Sequence, residues 1–362
     1  MTEQHLSVEE DLNGPGWITE HCSEGGFAVS YKVEKCLHQE ETPFQKIAVY
    51  QSSHFGKIML LDGYIQITSK DNFVYHEMLS NLPLYTHPQP KDVCIIGGGD
   101  CGVLREILAQ PCIQSVTQID IDIRVTEVSQ MHFPELCVRN EDPRATLLFQ
   151  DGAAWIRACA PASLDVIVVD STDPGEWGPG DVLYQEAFYA ACRRALRAEG
   201  LVVQQSESPL IHQQIICTMR QRMLSAGFAW VHTFSFPQPC YATGWWSCTM
   251  AGTAGTDPFK FRYQDALRKA HPTHYYNADV HRASLAEPEF LRRCFAERRV
   301  DGGRSEGGME GVVSDESEEE VGVMGADMDV DMDMGMSEGK RASPPPLSPL
   351  PPHPSLVEAP TA

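Results

Sequence analysis

The sequence predicts an α/β protein in which a small antiparallel β domain precedes an open sheet covered by helices on both faces. Three observations point there. Apolar runs of strand length alternate with helically spaced runs from residue 92 to about residue 227, a pattern expected of a parallel sheet buried on both sides. The first of those runs ends in a cluster of glycines followed by a helix-forming stretch. Residues 13–72 instead hold short alternating segments punctuated by Pro43, Gly56 and Asp62-Gly63, the signature of an antiparallel sheet.

Taken in order, Ala28 to Val33, Gln45 to Tyr50 and Lys57 to Leu61 read as strands of the first domain, 13–72. FVYHEMLSNLPLY, from Asn72 onward, has helical spacing and is expected to stop near Pro83, because proline lacks the amide donor and crowds the preceding turn. A second domain, 73–298, follows. Its strands and helices are DVCIIG, the glycine turn, SVTQID, IRVTEVSQMHF, ATLLFQ, AAWIRACA, LDVIVVD, QEAFYAACRRAL, GLVVQQ, HQQIICTMRQRMLSAG and a last strand pair around WVHTFSF and WWSCTMA. No repeat of solenoid period is visible.

The turn GGGDCG is the most informative stretch. Gly97, Gly99 and Gly102 satisfy the spacing of a dinucleotide fingerprint, and Asp120 lies where a ribose-binding acid is expected. Asp100 contradicts that ligand. A carboxylate among amides that would cradle a pyrophosphate opposes each phosphate charge by roughly 4 kcal/mol at about 4 Å and an effective dielectric near 20. The turn therefore suits a nucleoside without phosphates. Asp100, Asp120, Asp151 and Asp170 end four consecutive predicted strands, the edge where open α/β sheets bind ligands. One aspartate at such a turn is commonly only a helix cap, but four in register favour a site. Asp173 adds a second acid beside Asp170 in DSTDP, and the loop GEWGPGDV, 175–182, follows as a candidate lid carrying Trp177.

Charge and cysteine usage narrow the classes further. The net charge is −22, and from residue 300 onward 14 acidic residues face 3 basic ones, so half of the excess lies there. The acidic remainder disfavours nucleic acid and anionic membrane surfaces as partners and permits a cationic substrate. Residues 299–362, with SDESEEE, DMDVDMDMGM and PPPLSPLPPHP, cannot bury a core and read as a disordered tail. The twelve cysteines include no C-x-x-C, the nearest pair being Cys94 and Cys101. They are expected to serve as small buried hydrophobes in a reducing compartment, without disulfides or metal. MTEQHLSVEEDL has neither the basic region nor the apolar core of a signal peptide, and no apolar run reaches membrane length. A cytoplasmic location is expected.

With DGYIQIT, FVYHEM, GGGD-x-GVLRE, QIDID, QDGAAW, VVDSTDP, Q-x-ES, PCYATGWWS and HYYNADVHRA in that order, the chain resembles the spermidine synthase family of polyamine aminopropyltransferases from about Gly16 to Phe295. The resemblance implies an N-terminal β domain, a Rossmann-like domain of the class I methyltransferase type and a homodimer. It also implies transfer of aminopropyl from decarboxylated S-adenosylmethionine to a diamine, usually putrescine, without a further cofactor. Neither substrate carries a phosphate, in agreement with Asp100. By the same resemblance Gln45, His76 and Asp100 belong to the donor pocket, Asp120 to the ribose, and Asp151 with Gly152 to the adenine. Asp170 is the base. Ser171, Thr172, Asp173, Tyr75 and Tyr241 hold the amine. Gln66 and Glu207 are secondary candidates for the donor and amine sites, whereas His274, Tyr276 and Asp279 are expected to pack the C-terminus.

Departures from the family pattern concern the same site. Many members carry Glu where Asp120 stands and Gln where His76 stands. Cys101 and Ser206 replace glycines, Ala242 and Thr243 replace a Pro-Ser pair, and GEWGPGD is longer than the usual segment. They leave open another amine acceptor, an amine N-methyltransferase using whole S-adenosylmethionine, or an inactive scaffold with a working tail. The intact Asp100 and the Asp170 and Asp173 pair argue for aminopropyl transfer.

Overall fold

The computed structural model describes residues 16–173 and 180–301, with side chains to residue 296. It begins with an antiparallel ribbon of β1 (Trp17–Cys22) and β2 (Phe27–Lys32). A four-stranded antiparallel sheet follows: β3 (Lys35–Glu41), β4 (Lys46–Ser52), β5 (Gly56–Leu61) and β6 (Tyr64–Thr68). Asp62 and Gly63 close the β5–β6 hairpin with φ of 50° and 89°, the left-handed geometry that matches strand twist. The Asp62 carboxylate accepts the Lys46 amide at 2.8 Å and so fixes the neighbouring strand end.

Helix α1 (Asn72–Thr86) leads to the second sheet. It continues through Pro83 rather than stopping there. Every residue of α1 except Phe73 is buried, so packing on all sides outweighs the one backbone bond to Leu79 that a proline removes in the last turn. The second sheet comprises β7 (Asp92–Gly97), β8 (Ser115–Asp120), β9 (Ala145–Phe149), β10 (Leu164–Asp170), β11 (Leu196–Gln205), β12 (Trp230–Pro237) and β13 (Trp245–Gly252), in the order β12-β13-β11-β10-β7-β8-β9. Strands β7 to β11 run parallel, and β13 is antiparallel to both neighbours. Chain order reverses at β7, flanked by β8 on one side and β10 on the other. This is the switch point at whose carboxyl end a crevice opens.

Helices cover both faces, as the alternating pattern requires. On one side α1 and α2 (Gly102–Leu108) bury Met78, Leu82, Leu104 and Ile107 against Ile95 and Val168. On the other, α4 (Gly152–Ala158), α5 (Glu186–Ala195) and α6 (Gln213–Ser225) bury Ile156, Tyr189 and Met219 against Ile96 and Val169. Each such aliphatic side chain contributes about 1.5–3 kcal/mol when removed from water. Helix α3 (Ile123–His132) serves the first sheet: Val125 and Val128 pack with Ile47, Val49 and Met59. That contact brings the N-terminal sheet over the crevice.

Helices α7 (Tyr263–Leu267), α8 (Ala278–Ser284) and α9 (Glu289–Asp301) complete the described chain. The HYYNADVHRA segment packs as expected: Glu77 accepts the amides of His274, Tyr275 and Tyr276 at 2.7–2.8 Å, and Tyr276 stacks on Tyr85. Helix α9 extends past residue 298, where the sequence reading begins the tail. The rest of that tail and residues 175–179 of the expected lid lie outside the described residues. Six of the twelve cysteines are buried, but Cys36 and Cys112 are exposed and four are half-buried, so the expectation of buried hydrophobes holds for half of them. Among the described residues no helix is long and apolar enough to cross a membrane.

Candidate active site

Gly97 is the floor of the crevice. With φ of 84°, it brings β7 so close to β10 that an added Cβ would lie 2.1 Å from the Asp170 carbonyl oxygen, so only glycine fits. The Gly98 amide donates to that carbonyl at 2.8 Å. The strand ends thus locked together present their acids to one cleft of about 1300 Å³, counted with its open solvent, between the second sheet and the N-terminal strands. Gln45, Gln66, Tyr75, Asp100, Asp120, Asp151, Gly152, Asp170, Ser171, Thr172, Asp173 and Tyr241 all line it. His76 and Glu207 do not; each stands behind an acid that does.

Asp100 has both oxygens occupied by protein donors. Oδ1 accepts the Gly102 amide at 2.7 Å, and Oδ2 lies 3.0 Å from His76 Nε2. His76 is wholly buried. Burial works against charge on both groups, yet their attraction prevails: the imidazole is held above its ordinary value and the carboxyl below. Cys101, with φ of 67°, adopts the conformation its glycine counterpart takes without strain. Its buried thiol contacts the Gly99 carbonyl and the Gln118 amide and packs in the core instead of crowding the cleft.

Asp120 accepts the Asp122 amide at 2.8 Å and is pushed by burial to about 6. Asp122, missed in the sequence although QIDID contains it, caps α3 through the Arg124 amide and holds Gln45 Nε2 at 3.1 Å. That bond orients Gln45 at the cleft. Asp151 does serve as a helix cap, accepting the Ala154 amide at 3.0 Å, and it lines the cleft as well.

Across the cleft Tyr75 donates its phenol hydrogen to Asp170 Oδ1 at 2.7 Å. Burial and the charge of Asp100 nonetheless raise Asp170 to about 7. Tyr241 donates to the Gln66 carbonyl at 2.9 Å, and its ring meets Tyr75 and Trp246 edge to face. Both phenol hydrogens are therefore committed within the protein. Their oxygens remain acceptors, suited to an ammonium group.

A second acid group lies at the far end of this limb. Asp173 accepts Gln205 Nε2 at 2.7 Å and shares a hydrogen bond with Glu207. Burial raises Asp173 well above its ordinary value and Glu207 to about 8. Asp173, exposed at the cleft, and buried Glu207 behind it are two carboxylates at hydrogen-bond distance, which retain a proton between them. Glu20, on β1, joins them: it lines the cleft, accepts the Ile65 amide at 2.7 Å and is raised by burial to about 7. Glu20 stands in no motif, whereas Gln205 and Trp246 lie within the Q-x-ES and PCYATGWWS stretches, whose context is the signal that could have singled them out. Among the described residues no group of three or more His, Cys, Asp or Glu is arranged to hold a metal ion.

Residues 72–260 match the profile of the spermine/spermidine synthase domain, and residues 16–69 that of the spermidine synthase tetramerisation domain. The chain belongs to the spermidine synthase family. Polyamine aminopropyltransferase of Methylococcus capsulatus is 52% identical over 275 residues, covering 76% of this chain and 95% of the relative. That of Xylella fastidiosa strain M12 is 50% identical over 281 residues, covering 78% and 98%. A crystal structure of spermidine synthase in complex with the transition state analogue AdoDATO aligns with a TM-score of 0.75 at 31% identity, over 81% of this chain and 99% of its own. Spermidine synthase from Thermotoga maritima aligns with a TM-score of 0.73 at 30% identity, over 82% and 98%. As a family member the chain is an aminopropyl-transferring enzyme of polyamine biosynthesis, with the Rossmann-like sheet and N-terminal β domain that its sequence predicts.

Proposed function

We propose that this chain is a spermidine synthase, moving the aminopropyl group of decarboxylated S-adenosylmethionine to putrescine and releasing 5′-methylthioadenosine. The observation that carries the reading is the facing of Asp100, fixed as an anion by His76, and Asp170, tied to Tyr75, across one cleft. Two carboxylates suit a donor bearing a sulfonium and an ammonium. They oppose the extra carboxylate of whole S-adenosylmethionine, which disfavours methyl transfer.

In the proposed reaction Asp170 takes a proton from the near ammonium of the diamine, and Tyr75 and Tyr241 orient it through their lone pairs. The neutral amine attacks the carbon beside sulfur, the carbon–sulfur bond breaks, and the positive charge passes from sulfur to nitrogen. A value near 7 makes Asp170 a better base than an ordinary aspartate, and partly dry surroundings lower the ammonium's own pKa toward it. Alignment of the two substrates can supply roughly 7–11 kcal/mol in well-oriented cases. Asp120, Gln45, Asp151 and Gly152 hold the nucleoside, while Glu20 and Asp173, the latter backed by Glu207, receive the far ammonium. No further cofactor enters this scheme.

We assign the protein to the cytoplasm and expect it to self-associate; light scattering distinguishes the homodimer suggested by resemblance from the tetramer named for the N-terminal profile. The activity test is methylthioadenosine release from the decarboxylated donor with putrescine, cadaverine or spermidine. Release with putrescine is expected to be fastest. Absence of release with every amine would overturn the reading, and N-methylputrescine formed from whole S-adenosylmethionine would replace it.

A further inference from the structure

Away from the cleft, the described chain closes on a small apolar contact between α6 and α9. Ile216 and Cys217 on α6 meet Leu291, Cys294 and Phe295 on α9, and the Arg220 guanidinium lies 3.9 Å from the centre of the Phe295 ring. Opposite these residues α9 carries Glu289, Arg292 and Arg293, paired with one another at the surface. So the last helix rests on few buried side chains. At the middle of the contact the Cys217 and Cys294 sulfurs stand 3.1 Å apart, 77 residues apart in sequence. This is about 1 Å longer than the roughly 2.05 Å of a disulfide bond.

We infer that Cys217 and Cys294 form an oxidative modification site, a disulfide that clamps α9 to α6. Half-buried Cys294 is the sulfur that an oxidant reaches, and buried Cys217 is its resolving partner. With hydrogen peroxide as oxidant, the Cys294 sulfur attacks one oxygen and the O–O bond breaks, giving a sulfenic acid and one water. The Cys217 sulfur then displaces that oxygen as a second water. Two S–H bonds are lost, one S–S bond is made, and the two electrons reduce the peroxide. A bond closing so long a loop constrains the unfolded chain strongly, and here it secures the last described helix. The same bond braces α6, whose Ile216 amide donates to the carbonyl of the N-cap residue His212, itself in contact with Glu207 at 3.0 Å.

The test uses the full-length protein, reduced with a phosphine or oxidised with hydrogen peroxide. Tryptic digestion without reductant is expected to join peptide 198–220 to peptide 294–298, two hydrogens lighter than the separate peptides. Amide exchange across residues 289–297 should slow at least tenfold on oxidation. C294S and C217S should each remove both effects, and either one suffices if the other folds poorly. The inference is overturned if both thiols remain alkylatable after peroxide, if Cys217 or Cys294 joins other cysteines instead, or if the cross-link forms without slowing exchange in α9.

Discussion

His76 Nε2 and Asp100 Oδ2 stand 3.0 Å apart, with the histidine sealed in the core and the aspartate lining the cleft. The imidazole fills the space above Gly102, where an added Cβ would lie 2.1 Å from Cε1. Backbone and histidine together fix both carboxylate oxygens. The pair therefore explains two features of the glycine turn at once: why Gly102 has no side chain, and how a buried acid stays ionised.

From this pair follows a donor-specific defect. His76→Ala leaves Asp100 without its counter-charge and makes it easier to protonate, which costs about 1–3 kcal/mol of donor binding. The KM for decarboxylated S-adenosylmethionine should rise roughly 5- to 150-fold, with a smaller change for the diamine. His76→Gln keeps a donor and should lose less. Equal effects on both substrates would show that His76 supports the whole cleft and not Asp100.

Removing the base gives a different signature. Asp170→Asn keeps the size and loses the proton acceptor, so kcat should fall about 10²–10⁴-fold while the donor Kd, measured calorimetrically, changes little. Turnover within tenfold of the parent would contradict the role assigned to Asp170.

Much of this site was legible because of how strands end. Asp100, Asp120, Asp151 and Asp170 each close an apolar run, so periodicity alone brings them to one edge, and all four line the cleft. Pro83 misled because local propensity knows nothing of a helix buried on nearly every side. Glu20 was illegible for another reason. It sits in a half-buried ribbon outside every motif, and reaches the acceptor limb through its bond to the Ile65 amide on β6. His76 was assigned to the pocket by resemblance, but sequence does not tell a residue that lines a cleft from one that stands behind it.

Activity should also depend on pH through Asp170. The base must be ionised, and burial with the charge of Asp100 holds it near 7. Below that value kcat/KM is expected to fall about tenfold per pH unit. Tyr75→Phe removes a hydrogen bond to the anion and should move the acid limb up by about one unit. An unmoved limb would assign the titration to another group.

Stability should run the other way. Asp170 and Glu20, near 7, and Glu207, near 8, are raised above their unfolded values, mainly by burial. In the native state they bind protons that the unfolded chain has already released. Their contribution is complete at acid pH and is lost as pH rises through 7 to 8. Buried His87 and His281, held low by burial, act oppositely but only below about pH 6.5, the unfolded histidine value. The melting temperature of the ligand-free protein should therefore fall between pH 6.5 and 8.5. Glu207→Gln should flatten part of that slope, since an amide has no proton to lose. Putrescine, whose ammonium groups replace the missing protons, should raise the melting temperature more at pH 8.5 than at pH 6.5. A melting temperature that climbs over this interval, or a diamine effect larger at the lower pH, would show that the acids of the acceptor limb are ionised without cost in the empty cleft.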